Sequence, residues 1–258
     1  MTYADVNGLS MYYEEHGPAD GRPVVLIHGA YAAIGTAFGA ILPDLAKNRR
    51  VIAVELQGHG RTADIDRELT VRDLAADVVA LLDHLGIERA DVFGWSMGAA
   101  VGLHLGTDHP GRVARLVLAS VSFQDSGVYP GLLDGIEQMR PEDLHGSEYH
   151  EEYLRLAPDP DAFPELVRKL KRLDGDLPQW TAEQIRAVAA PTMLVLGDSD
   201  IIRPEHTVEM FRLLGGGVAG DLTGLPACRL AILPGTTHTG IPSRAGWLAP
   251  MIDEFLDA

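Results

Sequence analysis

The sequence predicts an α/β fold: a mostly parallel eight-stranded sheet flanked by helices, with a block of helices inserted after strand 6. Three observations carry this. Short continuous apolar runs alternate with stretches of helical period, the order that builds parallel sheets through crossover connections. The chain opens instead on a hairpin signal, Asn7-Gly8 between two strand-like runs. From about Ser122 to Ala190 the buried runs stop, and then they resume.

Taken in order, Tyr3 to Val6 and Leu9 to Tyr13 form the hairpin, and Val24-Val25-Leu26-Ile27 is a strand buried on both faces that ends at His28-Gly29. A helical stretch through Phe38, Ile41, Leu42 and Leu45 leads to the strand Val51 to Val54. Thr70 reads as an N-cap for a helix carrying Val71, Leu74, Val78, Leu81 and Leu85, and Gly86 ends it. Val92-Phe93 leads into a turn and another helix, and Arg115 to Ala119 is the sixth strand. Short amphipathic stretches follow at Leu132 to Met139, Tyr149 to Leu156, Phe163 to Leu173 and Thr181 to Val188, the last with a capping box from Thr181 to Gln184. Thr192 to Leu196 and Arg229 to Leu233 are the last strands, with helices at Pro204 to Leu214 and around Trp247 to Phe255. The expected division is a core of residues 1–121 and 191–258 and a helical cap, or lid, of residues 122–190.

Composition narrows the function. The chain of 258 residues is 46% hydrophobic and 22% charged, as in a soluble globular protein, and its formal charge of −16 disfavours nucleic acid and anionic membranes as partners. Cys228 is the single cysteine, so no internal disulfide forms, and it reads as a small buried thiol. The stretch Met1 to Asp5 lacks a basic or apolar leader, and no run approaches the ~18 apolar residues of a membrane span. The expectation is a cytoplasmic protein, either monomer or homodimer.

The chemistry centres on Gly94-Trp95-Ser96-Met97-Gly98, a Gly-x-Ser-x-Gly match between a strand and a helix. Alone it says little, since three fixed positions recur by chance in roughly one chain in ten of this length. A serine hydroxyl is a poor nucleophile and needs a base oriented by an acid. In an open parallel sheet such groups collect at the carboxyl ends of the strands. Those ends supply Ser96, then Asp198 or Asp200, then His238. By contrast Gly215, Gly217 and Gly220 spell a dinucleotide fingerprint but follow a helix, the wrong context for one.

These motifs resemble the α/β-hydrolase superfamily, in its serine-nucleophile branch with carboxylesterases and enol-lactone hydrolases. The matching stretches are His28-Gly29, Gln57-Gly58-His59-Gly60-Arg61-Thr62, Gly94 to Gly98, Gly197-Asp198-Ser199-Asp200 with Pro204, and Leu233-Pro234-Gly235-Thr236-Thr237-His238. The resemblance implies Asp200 as the acid, with Asp198 capping the turn and Asp125 as an alternative seat. It implies an oxyanion hole from the N–H of Met97 and that of Ala30, with Tyr31 the alternative second donor. Relatives that open halides or epoxides carry Asp at the elbow, which the serine here disfavours.

The resulting expectation is a serine hydrolase acting on a small or medium, largely apolar carboxylic ester or lactone, with no cofactor. Tyr31, Trp95, Phe123, Tyr129, Trp180 and Ile202 are the expected pocket wall. The alternatives are a carbon–carbon bond hydrolase or enol-lactone hydrolase of aromatic degradation, and a non-catalytic ligand-binding protein on the same fold. His28 and His59 read as structural. His145 and His150 with Glu148, Glu151 and Glu152 fit no metal-ligand spacing, so no metal is expected.

Overall fold

A computed structural model describes residues 2–258. Asn7 and Gly8 both take positive φ, 50° and 82°, which is what a two-residue hairpin turn with the native strand twist requires. They join β1 (Thr2–Val6) to β2 (Leu9–His16) in antiparallel register. The remaining strands are β3 (Val24–Ile27), β4 (Val51–Val54), β5 (Ala90–Trp95), β6 (Val113–Ala119), β7 (Thr192–Ser199) and β8 (Arg229–Thr237). Their order in the sheet is β1-β2-β4-β3-β5-β6-β7-β8, antiparallel through β4 and parallel beyond it. The continuous apolar runs are explained by position: every residue of β3, β4 and β5 is buried, because helices cover both faces.

The helices are α1 (Ile34–Phe38), α2 (Leu42–Leu45), α3 (Val71–His84), α4 (Met97–Asp108), α5 (Leu132–Gln138), α6 (Glu148–Leu156), α7 (Phe163–Asp174), α8 (Ala182–Arg186), α9 (Pro204–Leu213), α10 (Gly220–Thr223) and α11 (Ala245–Asp257). On one face α3 and α4 pack with Val25, Ile27, Val92 and Leu118. On the other, α1, α2 and α11 pack with Leu26, Ala53, Phe93 and Val117. The single helical stretch expected across Phe38 to Leu45 is two short helices. Pro43 has no N–H to donate back, so it opens a new helix rather than continuing one.

Helices α5 to α8 fall between β6 and β7, and no strand interrupts them among the described residues. Tyr153, Phe163, Leu166, Leu170, Leu173, Trp180 and Ile185 of this segment join the same apolar cluster as Val92 and Leu118 of the sheet. The segment therefore shares the core of the sheet rather than building a second one. Among the described residues no helix is long and apolar enough to cross a membrane. Cys228 is buried, and burial pushes its thiol up to about 12, so it carries no thiolate at neutral pH.

Candidate active site

Ser96 sits between the last residue of β5 and the first of α4 at φ 56° and ψ −121°. This conformation costs on the order of 1–3 kcal/mol for a residue with a side chain and persists only where the surroundings impose it. The flanking glycines show how they do so. A Cβ on Gly94 would be driven into the carbonyl of Gly98, and one on Gly98 into the carbonyl of Ile27, with His28 O only 2.6 Å away. The elbow is thus wedged between α4 and the end of β3, with the hydroxyl at its tip.

From that tip a hydrogen-bonded chain runs across three strand ends. Ser96 Oγ lies 2.9 Å from His238 Nε2, just beyond β8, and His238 Nδ1 lies 2.9 Å from Asp200 Oδ1, just beyond β7. With the serine hydroxyl donating to Nε2, Nδ1 carries the ring proton and donates to the carboxylate. Asp200 also accepts N–H bonds from Ile201 at 2.7 Å, Ile202 at 3.3 Å and Gly197 at 3.3 Å. Burial pushes this carboxyl up, but the bonds from His238, Ser120 and the backbone outweigh it and hold the group below the usual range. Asp198 plays a different part. It is exposed and accepts the N–H groups of Gly235 at 2.8 Å and Thr236 at 3.1 Å, tying the end of β7 to that of β8. Asp125 faces Gln179 on the surface, far from this chain of bonds.

Ser120 is the member the sequence reading missed. It follows β6 with φ 59°, is buried, donates to Asp200 Oδ1 at 2.6 Å and lies 2.6 Å from His238 Nδ1. It touches both the acid and the base. The rule that found the others, inspection of the residue after each strand, would have found it too.

The two buried histidines shape the turn after β3. His28 Nε2 accepts the N–H of Leu56 at 3.0 Å and its Nδ1 donates to Gly29 O at 2.8 Å. His59 Nδ1 donates to Gln57 O at 2.9 Å, and its Nε2 accepts the N–H of Tyr31 at 3.3 Å. Burial lowers both, to about 3 and about 4, so both are neutral scaffolding. Tyr31, at φ 64°, has its N–H committed to His59, whereas the Ala30 N–H makes no such bond among the described residues. Met97 opens α4, so its N–H has no intrahelical partner either. Among the described residues the N–H groups of Ala30 and Met97 are thus without a partner beside the cavity that holds Ser96, whereas that of Tyr31 is taken.

A cavity lies between these strand ends and helices α5 and α7. Ser96, Met97, Ser120 and His238 form its floor, and Leu132, Ile136, Leu173, Trp180 and Ile202 its walls. The space open to the centre of a water-sized sphere is about 90 Å³, against the ~10–15 Å³ that one water requires on that measure, so the chamber holds a small group. Of the residues expected in the pocket wall, Trp180 and Ile202 lie in the lining of this cavity. Four others do not. Tyr31 stands outside the lining, and Tyr129 is 48% exposed. Phe123 stacks on His206 with ring centroids 4.2 Å apart. Trp95 is buried in the apolar layer beside Gly29 and packs near His238, at 5.7 Å between centroids. Aromatic residues near a site are as useful for holding its frame as for touching a ligand, and sequence position does not separate the two. The cavity also contains Asp174, the last residue of α7, which no sequence signal marked. No cluster of three potential metal-ligating side chains occurs among the described residues.

Comparison with known proteins agrees with this fold. Residues 22–143 match the family model described as alpha/beta hydrolase fold. A meta-cleavage product hydrolase of Pseudomonas fluorescens superposes with a TM-score of 0.81 at 18% identity, covering 100% of this chain and 97% of the other.

The chain has the α/β-hydrolase fold.

The enol-lactonase of Burkholderia xenovorans shares this fold and superposes with a TM-score of 0.72 at 19% identity, covering all of both chains. At the sequence level, a 2-hydroxymuconate semialdehyde hydrolase from a Pseudomonas species is 42% identical over 118 residues, which is 42% of this chain and 40% of that protein. The chain spans less than half the length of the first curated relatives it matches, 42% and 31% for two others. The structural likenesses, all at low identity, speak for the fold.

Proposed function

We propose that this chain is a serine hydrolase that cleaves a small, largely apolar carboxylic ester or lactone through an acyl-enzyme on Ser96. The observation that carries the reading is the unbroken chain from Ser96 Oγ through His238 to Asp200, ending at a cavity flanked by two free N–H groups. Ser96 attacks the carbonyl carbon as His238 Nε2 takes its proton. Asp200 holds the ring in the tautomer that can do so and stabilises the imidazolium. The N–H groups of Met97 and Ala30 receive the oxyanion, each such donor contributing ~3 kcal/mol to barrier lowering. His238 then protonates the leaving oxygen, and water, activated by the same ring, releases the acid.

Helices α5 to α8 act as the lid of this site, with apolar side chains of α5, α7 and the segment after α7 forming its roof and setting the size of the acyl or alcohol group. A carbon–carbon hydrolase is the second reading, supported by the named activity of the 42%-identical relative, which matches this chain in part. A binding protein without turnover is disfavoured by the intact bonding from nucleophile to acid.

The test is covalent labelling together with turnover. A fluorophosphonate probe should label the native chain and p-nitrophenyl esters of two to four carbons should be hydrolysed. Ser96→Ala should do neither. Equal labelling of both proteins, or ester hydrolysis that survives the substitution, refutes the nucleophile.

A further inference from the structure

Asp174 is the charged group of the cavity that the reaction above does not use. It ends α7 on the lid side and lines the same chamber as Ser96 and His238. Its carboxyl receives no hydrogen bond among the described residues, whereas that of Asp200, behind His238, is held by several donors. Nearby, the Tyr31 hydroxyl is buried and also without a partner. No lysine or arginine lines the cavity among the described residues. The cations of α7 itself are engaged elsewhere: Arg168 with Glu165 at 2.7 Å, Lys169 with Asp64 at 2.6 Å, Lys171 with Met139 O at 3.0 Å and Arg172 with Glu68 at 3.6 Å. Asp174 is partly buried, so its carboxyl, which no protein donor holds, is open to water or to the donor of a ligand in this apolar chamber.

Resting on the reading of Ser96 as nucleophile, we propose that Asp174 is a specificity-determining residue that selects substrates bearing a hydrogen-bond donor, an ammonium or hydroxyl, at the end remote from the scissile carbonyl, and rejects those bearing a carboxylate there. The geometry divides the chamber into a reactive floor at Ser96 and an acidic spot on the opposing lid, with apolar walls of Leu132, Leu173 and Ile202 between. A carboxylate in that chamber would meet Asp174 with no cation to neutralise either. Burial holds the Asp174 carboxyl up at about 6, with the charge of His238 pulling the other way. The titratable groups facing it are His238 and Tyr31, and the nearness of Asp174 also raises the Tyr31 hydroxyl. At neutral pH the carboxylate form dominates and an ammonium is preferred. Below pH 6 the neutral acid gives up that advantage but still bonds a hydroxyl.

The experiment measures binding, so that it stands apart from turnover. Pentylammonium, pentanol and pentanoate are titrated against the full chain and against Asp174→Asn and Asp174→Leu by ligand-observed NMR at pH 7.5 and 5.0. The native chain should bind pentylammonium and pentanol about tenfold or more tightly than pentanoate at pH 7.5. Asp174→Asn should keep pentanol and lose the ammonium preference, and Asp174→Leu should lose both. Lowering the pH to 5.0 should weaken pentylammonium more than pentanol in the native chain alone. Equal binding of the three probes, no binding of any, or an unchanged ranking in Asp174→Leu overturns the assignment. Failure of the fluorophosphonate test with this ranking intact would instead refute the role of Ser96 and leave that of Asp174 standing.

Discussion

Two aspartates two residues apart show how far surroundings, rather than residue type, decide a role. The Asp200 carboxylate is filled with donors: three backbone N–H groups, the Ser120 hydroxyl and the His238 ring. Asp200→Asn places an NH₂ group against these donors, orphans one of them and favours the tautomer that cannot accept from Ser96. Ester turnover should fall by about 10³–10⁴-fold, while Asp198→Asn, exposed and able to keep one of its two backbone bonds, should change it less than about threefold. Steady-state kcat/KM on one short ester decides between them, and the reverse order would move the acid to Asp198. The depressed Asp200 pKa also has a signed consequence: its stabilisation is fully present above the unfolded value of ~3.9 and is lost as pH falls through the lower folded value. Both aspartates were legible as strand-end acids. Choosing between them from residues alone was not possible, because what separates them is which one lies buried under His238. Asp174 was not legible at all, since its position depends on how the lid helices fold back over a distant strand end.

At the scale of elements, the elbow is a packing device before it is a chemical one. Gly98→Ala drives a methyl into the Ile27 carbonyl with backbone on both sides, leaving no flexible side chain to yield. We expect a loss of ~3 kcal/mol or more, read as a fall in melting temperature of about 6–12 °C for a chain of this size. Gly135→Ala, in the middle of α5 with open space around it, should instead raise stability by up to ~1 kcal/mol. If both substitutions behave alike, the steric account of the motif fails. Most elements were readable for the same reason that the elbow was: β3, β4 and β5 are buried on both faces, so their sequences have no polar interruption. The strands at the margins announced themselves less clearly. β8 lies at the edge of the sheet with Ile232 42% exposed, and β7 runs on past its apolar run through Gly197 to Ser199 to bring Asp200 to its place. Those extensions come from pairing with a neighbouring strand, information that a local pattern does not hold.

At the scale of the molecule, the lid is joined to the sheet by more than apolar contact. On α6 the buried Glu152 accepts the N–H groups of Ala33 and Thr36, each at 3.2 Å, together with the Thr36 hydroxyl. It thereby grips the loop that also carries Ala30. On α7 the buried Lys169 donates to Asp64 Oδ2 at 2.6 Å, Ile65 O at 2.8 Å and Arg67 O at 2.9 Å, gripping the loop that follows β4. Both loops leave the carboxyl edge of the sheet, so these two side chains fix the roof over Ser96. Lys169→Met keeps the stem of the side chain and removes its three donors. The two carbonyls keep a second partner in Gln57 Nε2, at 3.4 Å from Ile65 O and 2.8 Å from Arg67 O, so the chief injury is an Asp64 charge without its cation, left with only the neutral Gln57 donor at 2.8 Å. Breaking one side of such a pair costs about 3–5 kcal/mol. Adding Asp64→Asn removes the orphaned charge, and the double variant should recover at least ~1 kcal/mol of that loss. Denaturant unfolding of the four proteins of this cycle measures the coupling, and amide exchange across residues 148–180 should speed up in Lys169→Met and slow again in the double variant. If the double variant is no more stable than the single one, apolar packing alone holds the lid, and the charged grip is incidental to the shape of the chamber.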